Sequence, residues 1–442
     1  MSVNAVFLLG LKISGIKNIE KPIEIPFYKK TIKDDFDPDQ YRVKGIYGEN
    51  GSGKTGIMVA VKIMTRILLD RNYLNDSVNQ RLLAENINKK TNRFSIEAVF
   101  RTMEMNHPFI YRYRAVLEIR PDQRVYLSEE SLERKNGRYT QNAYAPVFST
   151  RNGILIRFGE GELFDFCREK TQNLLEQRSF ASFALDIEAA GYQEDPEWNH
   201  LFSLAVFASS IIVEIDEEDN HRKYAYDYLK RGNEQVALHE ARDLTIFSRA
   251  STVESDKKEV MIPRDKLPVY QERTEGLYRF IRIFKTDLKG IRIEAKEYGE
   301  FCICRRIMVY DGYELDEEYE SRGIRKLMRL FDVLDAACNG EIVFIDELDS
   351  NVNDVYLNKL IEYFVYYGKG QLCFTAHNLS PMSVLRESKC AISFISGVNT
   401  LHTWTSNGNQ NPEHAYRDGF IEDSPFNVEA SDFLGVLGGA DD

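Results

Sequence analysis

No stretch of the sequence approaches the ~18–20 consecutive apolar residues that a membrane-spanning helix needs, so no membrane contact is expected. The opening MSVNAVFLLGLKISGIKN has neither a basic leader nor a small-residue cleavage site, which favours a strand over a signal peptide. Cysteine is scarce. Cys167, Cys302, Cys304, Cys338, Cys373 and Cys390 are scattered, most in apolar, strand-like surroundings. They are expected to be reduced thiols of a cytoplasmic protein. Cys302 and Cys304 form a CxC pair, but no second pair or nearby His completes a zinc site, so alternating positions on one strand account for them. Basic charge is also in deficit: 57 Lys and Arg against 69 Asp and Glu leave a net charge of −12. That excludes a general nucleic-acid coat, though not a local basic groove. Internal repeats and sustained heptads are absent, which excludes a solenoid and long coiled-coil arms.

What is present is an ordinary folded composition, 43% hydrophobic and 29% charged, in a chain of 442 residues. At ~150 residues per domain that length suggests about three domains. Strands are expected at LLGLKIS and VKGIYG. A helix is expected after residue 54, where Ile57, Val61, Met64 and Leu68 recur at helical spacing with Ile67 alongside. From residue 94 the period drops toward two in RFSIEAVFR, FIYRYRAVLEI and RVYLSEESL, the pattern of an antiparallel meander. Residues 160–245 read as largely helical, with FASSIIVEI a strand or a buried helix, and 246–275 as loop or linker. Strands return in GIRIEAK, EFCICRRIMVY, EIVFID and QLCFTAH, with helices at 322–338 and 354–367. The stretch 421–442 carries six acids and no Lys or Arg. It reads as a solvated tail, with the apolar cluster Phe433, Leu434, Val436 and Leu437 leaving a docking role open.

Residues Gly48, Glu49, Asn50, Gly51, Ser52, Gly53, Lys54 and Thr55 spell a complete GxxxxGK[ST] between an apolar strand and an amphipathic helix. Glycines let the backbone curl so that several N–H groups face an anion, and the helix N-terminus adds positive potential. Lys54 is expected to reach the β- and γ-phosphates of a nucleotide and the Thr55 hydroxyl to coordinate Mg²⁺. Downstream, the apolar run of EIVFIDELD ends in Asp346, expected to help hold Mg²⁺. Glu347 follows, placed to take a proton from the attacking water as general base. His377 comes 30 residues later at the end of another apolar strand, where it is expected to sense the γ-phosphate. Two basic spots stand out: Lys89, Lys90 and Arg93, and the row Arg322, Arg325, Lys326 and Arg329, which shares a helix face. That face is either solvated or reserved for a subunit contact or nucleic acid.

In this order of elements the chain resembles the ABC-type ATPases, particularly their SMC/RecF/OLD-like branch. Lys54 and Asp346 stand 292 positions apart, as in a split cassette. The resemblance implies an α/β fold: a split ABC-type P-loop ATPase with a mixed sheet, an antiparallel β meander and a helical insertion. It divides the chain into residues 1–150 (P-loop and meander), 151–290 (mainly helical insertion), 291–400 (signature, Walker B and H-loop) and 401–442 (extension with the acidic tail). The signature motif maps onto Tyr319-Glu320-Ser321-Arg322-Gly323, so that Ser321 and Gly323 contact the γ-phosphate bound by another subunit. The D-loop maps onto Leu348-Asp349-Ser350, and the H-loop onto His377. Two departures are visible. SNVND stands where relatives carry a Leu-His-Pro element, and neither Gln80 nor Gln123 is set as a Q-loop glutamine.

More narrowly, the chain looks like the AAA/OLD-like ATPases of bacterial anti-phage systems, the group that includes the ATPase components of AbiL and PARIS (AriA). That likeness implies ATP hydrolysis with Mg²⁺ across a composite site in a homodimer or higher homo-oligomer. It also implies a DNA or phage-protein trigger and a protein effector, a TOPRIM-type nuclease. The 65 residues after His377 are expected to hold no full nuclease domain of their own. The alternative is a RecF- or SMC-like ATPase of DNA repair or DNA clamping. The spacing from Thr55 to Ser321 is too long for a transporter subunit.

Overall fold

The computed structural model describes residues 6–29, 37–104, 107–137, 143–186, 196–215, 260–405, 410–421 and 424. The described chain is a mixed α/β protein with several sheets. It forms two compact units, one of residues 1–215, 336–349 and 357–442, the other of 216–335 and 350–356. Among the described residues no helix is long and apolar enough to cross a membrane.

The first unit begins with β1 (Phe7–Ser14), β2 (Ile23–Pro26) and β3 (Val43–Tyr47), followed by α1 (Lys54–Leu69) and α2 (Ser77–Asn86). The long strands β4 (Arg93–Glu104), β5 (His107–Ile119) and β6 (Val125–Asn136) come next, then β7 (Ala145–Arg151) and β8 (Ile154–Phe158). All neighbours in the sheet β2-β1-β4-β5-β6-β7-β8 are antiparallel, so the expected meander extends to both sides and takes in the N-terminal strand. Helices α3 (Glu162–Lys170), α4 (Phe180–Asp186) and α5 (Pro196–Ser209) lead to β9 (Ile211–Glu214). The ambiguous FASSIIVEI is therefore both things: its first three residues end a helix and its last five contain a strand. The strand forms because Ile211 to Glu214 pair with a parallel neighbour, a tertiary choice that local periodicity does not encode.

The second unit holds β10 (Val260–Pro263), α6 (Leu267–Phe284), β11 (Gly290–Tyr298), β12 (Phe301–Tyr310), β13 (Tyr313–Asp316) and most of α7 (Arg322–Cys338). Here the expected loop over 246–275 is corrected in part. Residues 246–259 lie outside the described residues, but 260–263 pair with β12 and 267 onward are helical. Tyr270, Thr274, Leu277 and Ile281 repeat at spacings of four, three and four and face inward, a stripe diluted in the sequence by the charged residues between them. The core of this unit joins Leu277 and Ile281 to Met308, Ile324, Leu327 and Met328. Cys302 and Cys304 lie buried and free at alternating positions of β12, as expected. Residues 216–245 of the expected helical stretch, and the acidic tail apart from Ile421 and Ser424, lie outside the described residues.

The chain returns to the first unit with β14 (Ile342–Ile345), α8 (Asp354–Tyr367, whose first turn belongs to the second unit), β15 (Gln371–Thr375), α9 (Pro381–Leu385), β16 (Ile392–Ile395), β17 (Leu401–Thr403) and α10 (Pro412–Arg417). The second sheet of this unit has the order β17-β16-β3-β15-β14-β9, parallel except at β16–β17. Every residue of β3, β14, β15 and β16 is buried, which is what parallel strands covered on both faces require. Helix α1 touches β9 of this sheet and β4 of the antiparallel one. Phe207 on α5 stacks on Phe100 of β4 with ring centroids 3.9 Å apart. The two sheets are also joined by a buried amide: Leu8 donates its N–H to Gln371 Oε1 at 2.6 Å, and Gln371 Nε2 returns a bond to Leu8 O at 3.0 Å. Both ends of the amide are satisfied, so its burial carries no orphan cost.

A second polar group is buried on β6. Glu130 accepts from Ser179 Oγ (2.6 Å) and Tyr113 Oη (3.0 Å) on one oxygen and from the Phe180 N–H (2.7 Å) on the other. Burial raises its carboxyl from 4.5 to about 7, against the opposite pull of those three donors. The folded form thus holds this proton more tightly than the unfolded chain. Its stabilising effect is complete below pH 4.5 and is lost as pH rises through about 7. The loss amounts to at most ~3 kcal/mol at ~1.4 kcal/mol per pKa unit. Glu130→Gln copies the neutral acid, because its amide donates to the two hydroxyls and its oxygen keeps the Phe180 N–H. Thermal denaturation is expected to show variant and wild type alike near pH 5 and the variant more stable at pH 8. A wild type that gains stability relative to the variant between those values contradicts the assignment.

Candidate nucleotide site

Strand β3 delivers Tyr47 to the edge of the parallel sheet, and residues 48–53 then curl back to start α1 at Lys54. Two of the glycines are forced. A Cβ on Gly48 would sit 2.3 Å from the Ile395 carbonyl oxygen, and one on Gly53 would meet the Ile19 side chain at 2.7 Å while φ there is +114°. Lys54 is buried and folds into the loop, donating to Gly48 O at 2.7 Å and Glu49 O at 2.9 Å. Its ammonium thus lies inside the curl of backbone. Desolvation lowers its pKa, and the carboxylates of Asp346, Glu347, Asp349 and Glu49 push it back up. The Ser52 hydroxyl is buried in the same loop without a partner. An orphaned buried hydroxyl beside a buried ammonium is a donor set suited to an oxyanion such as a phosphate.

Asp346 extends the β14–β9 pairing by one residue, its N–H bonding Glu214 O at 2.8 Å, and its side chain is buried. Thr375, fully buried at the end of β15, donates its hydroxyl proton to Asp346 Oδ1 and accepts the Glu347 N–H at 2.7 Å. Its carbonyl takes the Leu348 N–H at 3.0 Å. Glu347 adopts φ +46°, a left-handed conformation that side chains rarely take, and these two bonds on either side of its Cα hold it there. Sequence reading missed Thr375. Its signal is a lone hydroxyl closing the apolar run Leu372 to Phe374, two residues before His377.

His377 Nε2 stands 3.8 Å from Glu347 Oε1, with both side chains about half exposed at the rim. Asp349 folds under them: its Oδ2 accepts from the His377 N–H (2.9 Å) and the Asn378 N–H (2.7 Å), while its Oδ1 is buried without a partner. The structure therefore brings Lys54, Asp346, Glu347, Asp349 and His377 together at the C-terminal ends of the adjacent strands β3, β15 and β14, the end at which open α/β sheets bind ligands. Among the described residues no three His, Cys, Asp or Glu side chains form a metal site by themselves. Thr55, the second residue of α1, and Asp346 offer one hydroxyl and one carboxylate. That donor set fits a Mg²⁺ ion whose other ligands are phosphate oxygens and water.

Ser321 and Gly323 belong to the second unit. A 3₁₀ turn, Glu317–Tyr319, precedes them. Ser321 is exposed at the start of α7, with its Oγ 3.4 Å from the Ile324 N–H that it caps. Glu320 is buried beneath, bonded to Tyr310 Oη and 3.5 Å from Lys285 Nζ, and accepts the Ser321 N–H at 3.3 Å. Gly323 is pressed against the chain, where a Cβ would meet Asn351 O at 2.5 Å. The expected basic face needs correction at one position: Lys326 is buried and bonded to Ser350 Oγ. The other spot is neutralised, with Lys89, Lys90 and Arg93 each paired to a glutamate. Gln80 is structural, its amide bonding Leu74 O, Val125 O and the Val125 N–H. Gln123 sits at φ +63° after β5.

Compared with known proteins, the chain matches no family model and no curated protein.

Thr375→Val removes the hydroxyl at nearly constant volume and leaves the Asp346 carboxylate and the Glu347 N–H short of a partner. A loss of ~1–3 kcal/mol in urea denaturation is expected, with Thr375→Ser near wild type. Equal stability of all three proteins contradicts the bridging role.

Proposed function

We propose that the protein is an ATP-binding and hydrolysing switch of the ABC type, the sensor or regulatory ATPase of a bacterial anti-phage system that controls a nuclease effector. The observation that carries the ATPase part is the convergence of Lys54, Asp346, Glu347 and His377 at one sheet end, beside a loop with a buried, unpartnered Ser52 hydroxyl. The defence role is supported by the family resemblance alone. A bound Mg²⁺ supplies a Lewis acid and neutralises phosphate charge.

The chain's own groups have separable tasks. The loop N–H groups and Lys54 bind and orient the triphosphate. Thr55 and Asp346 hold the ion, and Thr375 keeps Asp346 in place. Glu347, exposed at the rim, accepts a proton from water, and the His377 imidazole beside it is assigned to the terminal phosphate. Ser321 and Gly323 of a second copy close the site, so that water is excluded only in a dimer. ATP shifts the open and closed forms to the extent that it binds them unequally.

Lys54→Ala is expected to abolish nucleotide binding in a fluorescent-analogue titration. Glu347→Gln is expected to bind ATP normally and to turn it over at least ~100-fold more slowly, accumulating as a closed assembly. Equal turnover by wild type and Glu347→Gln removes the general base from the mechanism. Co-purification with a nuclease from the same operon supports the defence role, whereas ATP-dependent DNA binding by the lone protein supports the repair-type alternative.

A further inference from the structure

Helix α7 is buried around almost its whole circumference. Ile324, Lys326, Leu327, Met328, Leu330, Val333 and Leu334 all face inward. What it shows to solvent at its start is Arg322, with Arg325 partly exposed and Arg329 exposed further along. In a chain of net charge −12 this row is a local reversal of sign. Among the described residues Arg322 meets no acceptor, and Arg325 Nε is buried without one. Neither guanidinium is committed within the fold.

The nucleotide site has the opposite imbalance. The charges felt at Lys54 are those of four carboxylates, Asp346, Glu347, Asp349 and Glu49. A nucleoside triphosphate adds about four more negative charges, of which one divalent ion cancels two. Phosphoryl transfer further spreads charge over the terminal phosphate oxygens, so a site with one lysine is short of cations where the transition state needs them. The other copy presents Ser321 and Gly323 in the proposed assembly, and the residue between them is Arg322. Arg329, seven residues on, lies ~10 Å further along the helix axis and out of reach of the same phosphate.

Resting on the two-copy site proposed above, we infer that Arg322 is a catalytic residue acting in trans, its guanidinium meeting the terminal phosphate of the nucleotide held by Lys54 of a second copy. The guanidinium stays protonated throughout. Water oxygen bonds to the terminal phosphorus, Glu347 takes the water proton, and the bond from that phosphorus to the ADP oxygen breaks with its electron pair leaving on ADP. Arg322 transfers nothing. It stabilises charge on the oxygens in between.

The test uses the full-length protein. Arg322→Ala is expected to lower kcat by ~10²–10³, with Arg322→Lys recovering part of the loss, while a fluorescent ATP analogue binds within about twofold of wild type. In a Glu347→Gln background, ATP-induced dimerisation measured by light scattering is expected to weaken when Arg322→Ala is added. The deciding arm mixes Arg322→Ala with Glu347→Gln. One site of the mixed dimer then has an intact Glu347 on one side and an intact Arg322 on the other. ATP turnover at least about tenfold above either variant alone supports action in trans.

A parallel mixture of Ser321→Ala with Glu347→Gln separates the two levels. If it restores turnover and the Arg322 mixture does not, Arg322 acts elsewhere and the inference falls. If neither mixture restores turnover, the two-copy site falls and takes the inference with it. An Arg322→Ala protein with wild-type kcat that has lost affinity for a labelled DNA duplex assigns the row to nucleic acid and overturns the inference directly.

Discussion

One hydroxyl sets the geometry on which the candidate site depends. Thr375 lies on β15 between β3 and β14, and reaches sideways to the first two residues beyond β14. Its hydroxyl takes the Glu347 N–H and its carbonyl the Leu348 N–H, one on each side of the left-handed Glu347 Cα. The bond to Asp346 serves a second purpose, since a buried carboxylate with no donor is a far larger penalty than an exposed one. Because β14 and β15 are also locked by parallel pairing, the bridge is short and stiff. Asp346, Glu347 and His377 thus stand within two residues of strand ends, and Lys54 at the start of a helix, supports more exact than free loops.

Some polar atoms in the site are nevertheless left over. Ser52 Oγ and Asp349 Oδ1 are buried and unpaired, unlike the fully matched Gln371 amide and Glu130 carboxylate. A matched group such as the Gln371 amide binds sheet to sheet. An unmatched group costs stability until a ligand reaches it. Both of these unpaired atoms belong to the segments around Lys54.

The sequence made the site's first unit largely legible for a physical reason. Glycines at Gly48 and Gly53 are forced by close approach, and the consecutive apolar residues of β14 and of Leu372 to Phe374 in β15 are forced by burial on both faces. Such constraints leave marks that need no partner information. The α1, α7 and α8 spans were visible through their periodicity, and Cys302 and Cys304 through strand alternation. What was hidden depends on pairing at long range. Thr375 has no local mark beyond a lone hydroxyl, β9 and β10 are strands only because neighbours accept them, and Lys326 looks solvated until Ser350 is found beside it. The charged residues of α6 mask a regular inward stripe in the same way.

A single copy therefore divides its resources unevenly. One unit gathers carboxylates around one lysine, and the other exposes arginine along the outward row of a helix that is otherwise buried. Four carboxylates crowd around Lys54, and Arg322, among the described residues, meets no acceptor. In the proposed two-copy assembly both surfaces meet one shared anion, the terminal phosphate. A triphosphate with its metal ion has the charge to satisfy the arginine on one side while requiring the lysine on the other. Under that proposal association depends on the nucleotide rather than on apolar burial, which is the property a switch needs.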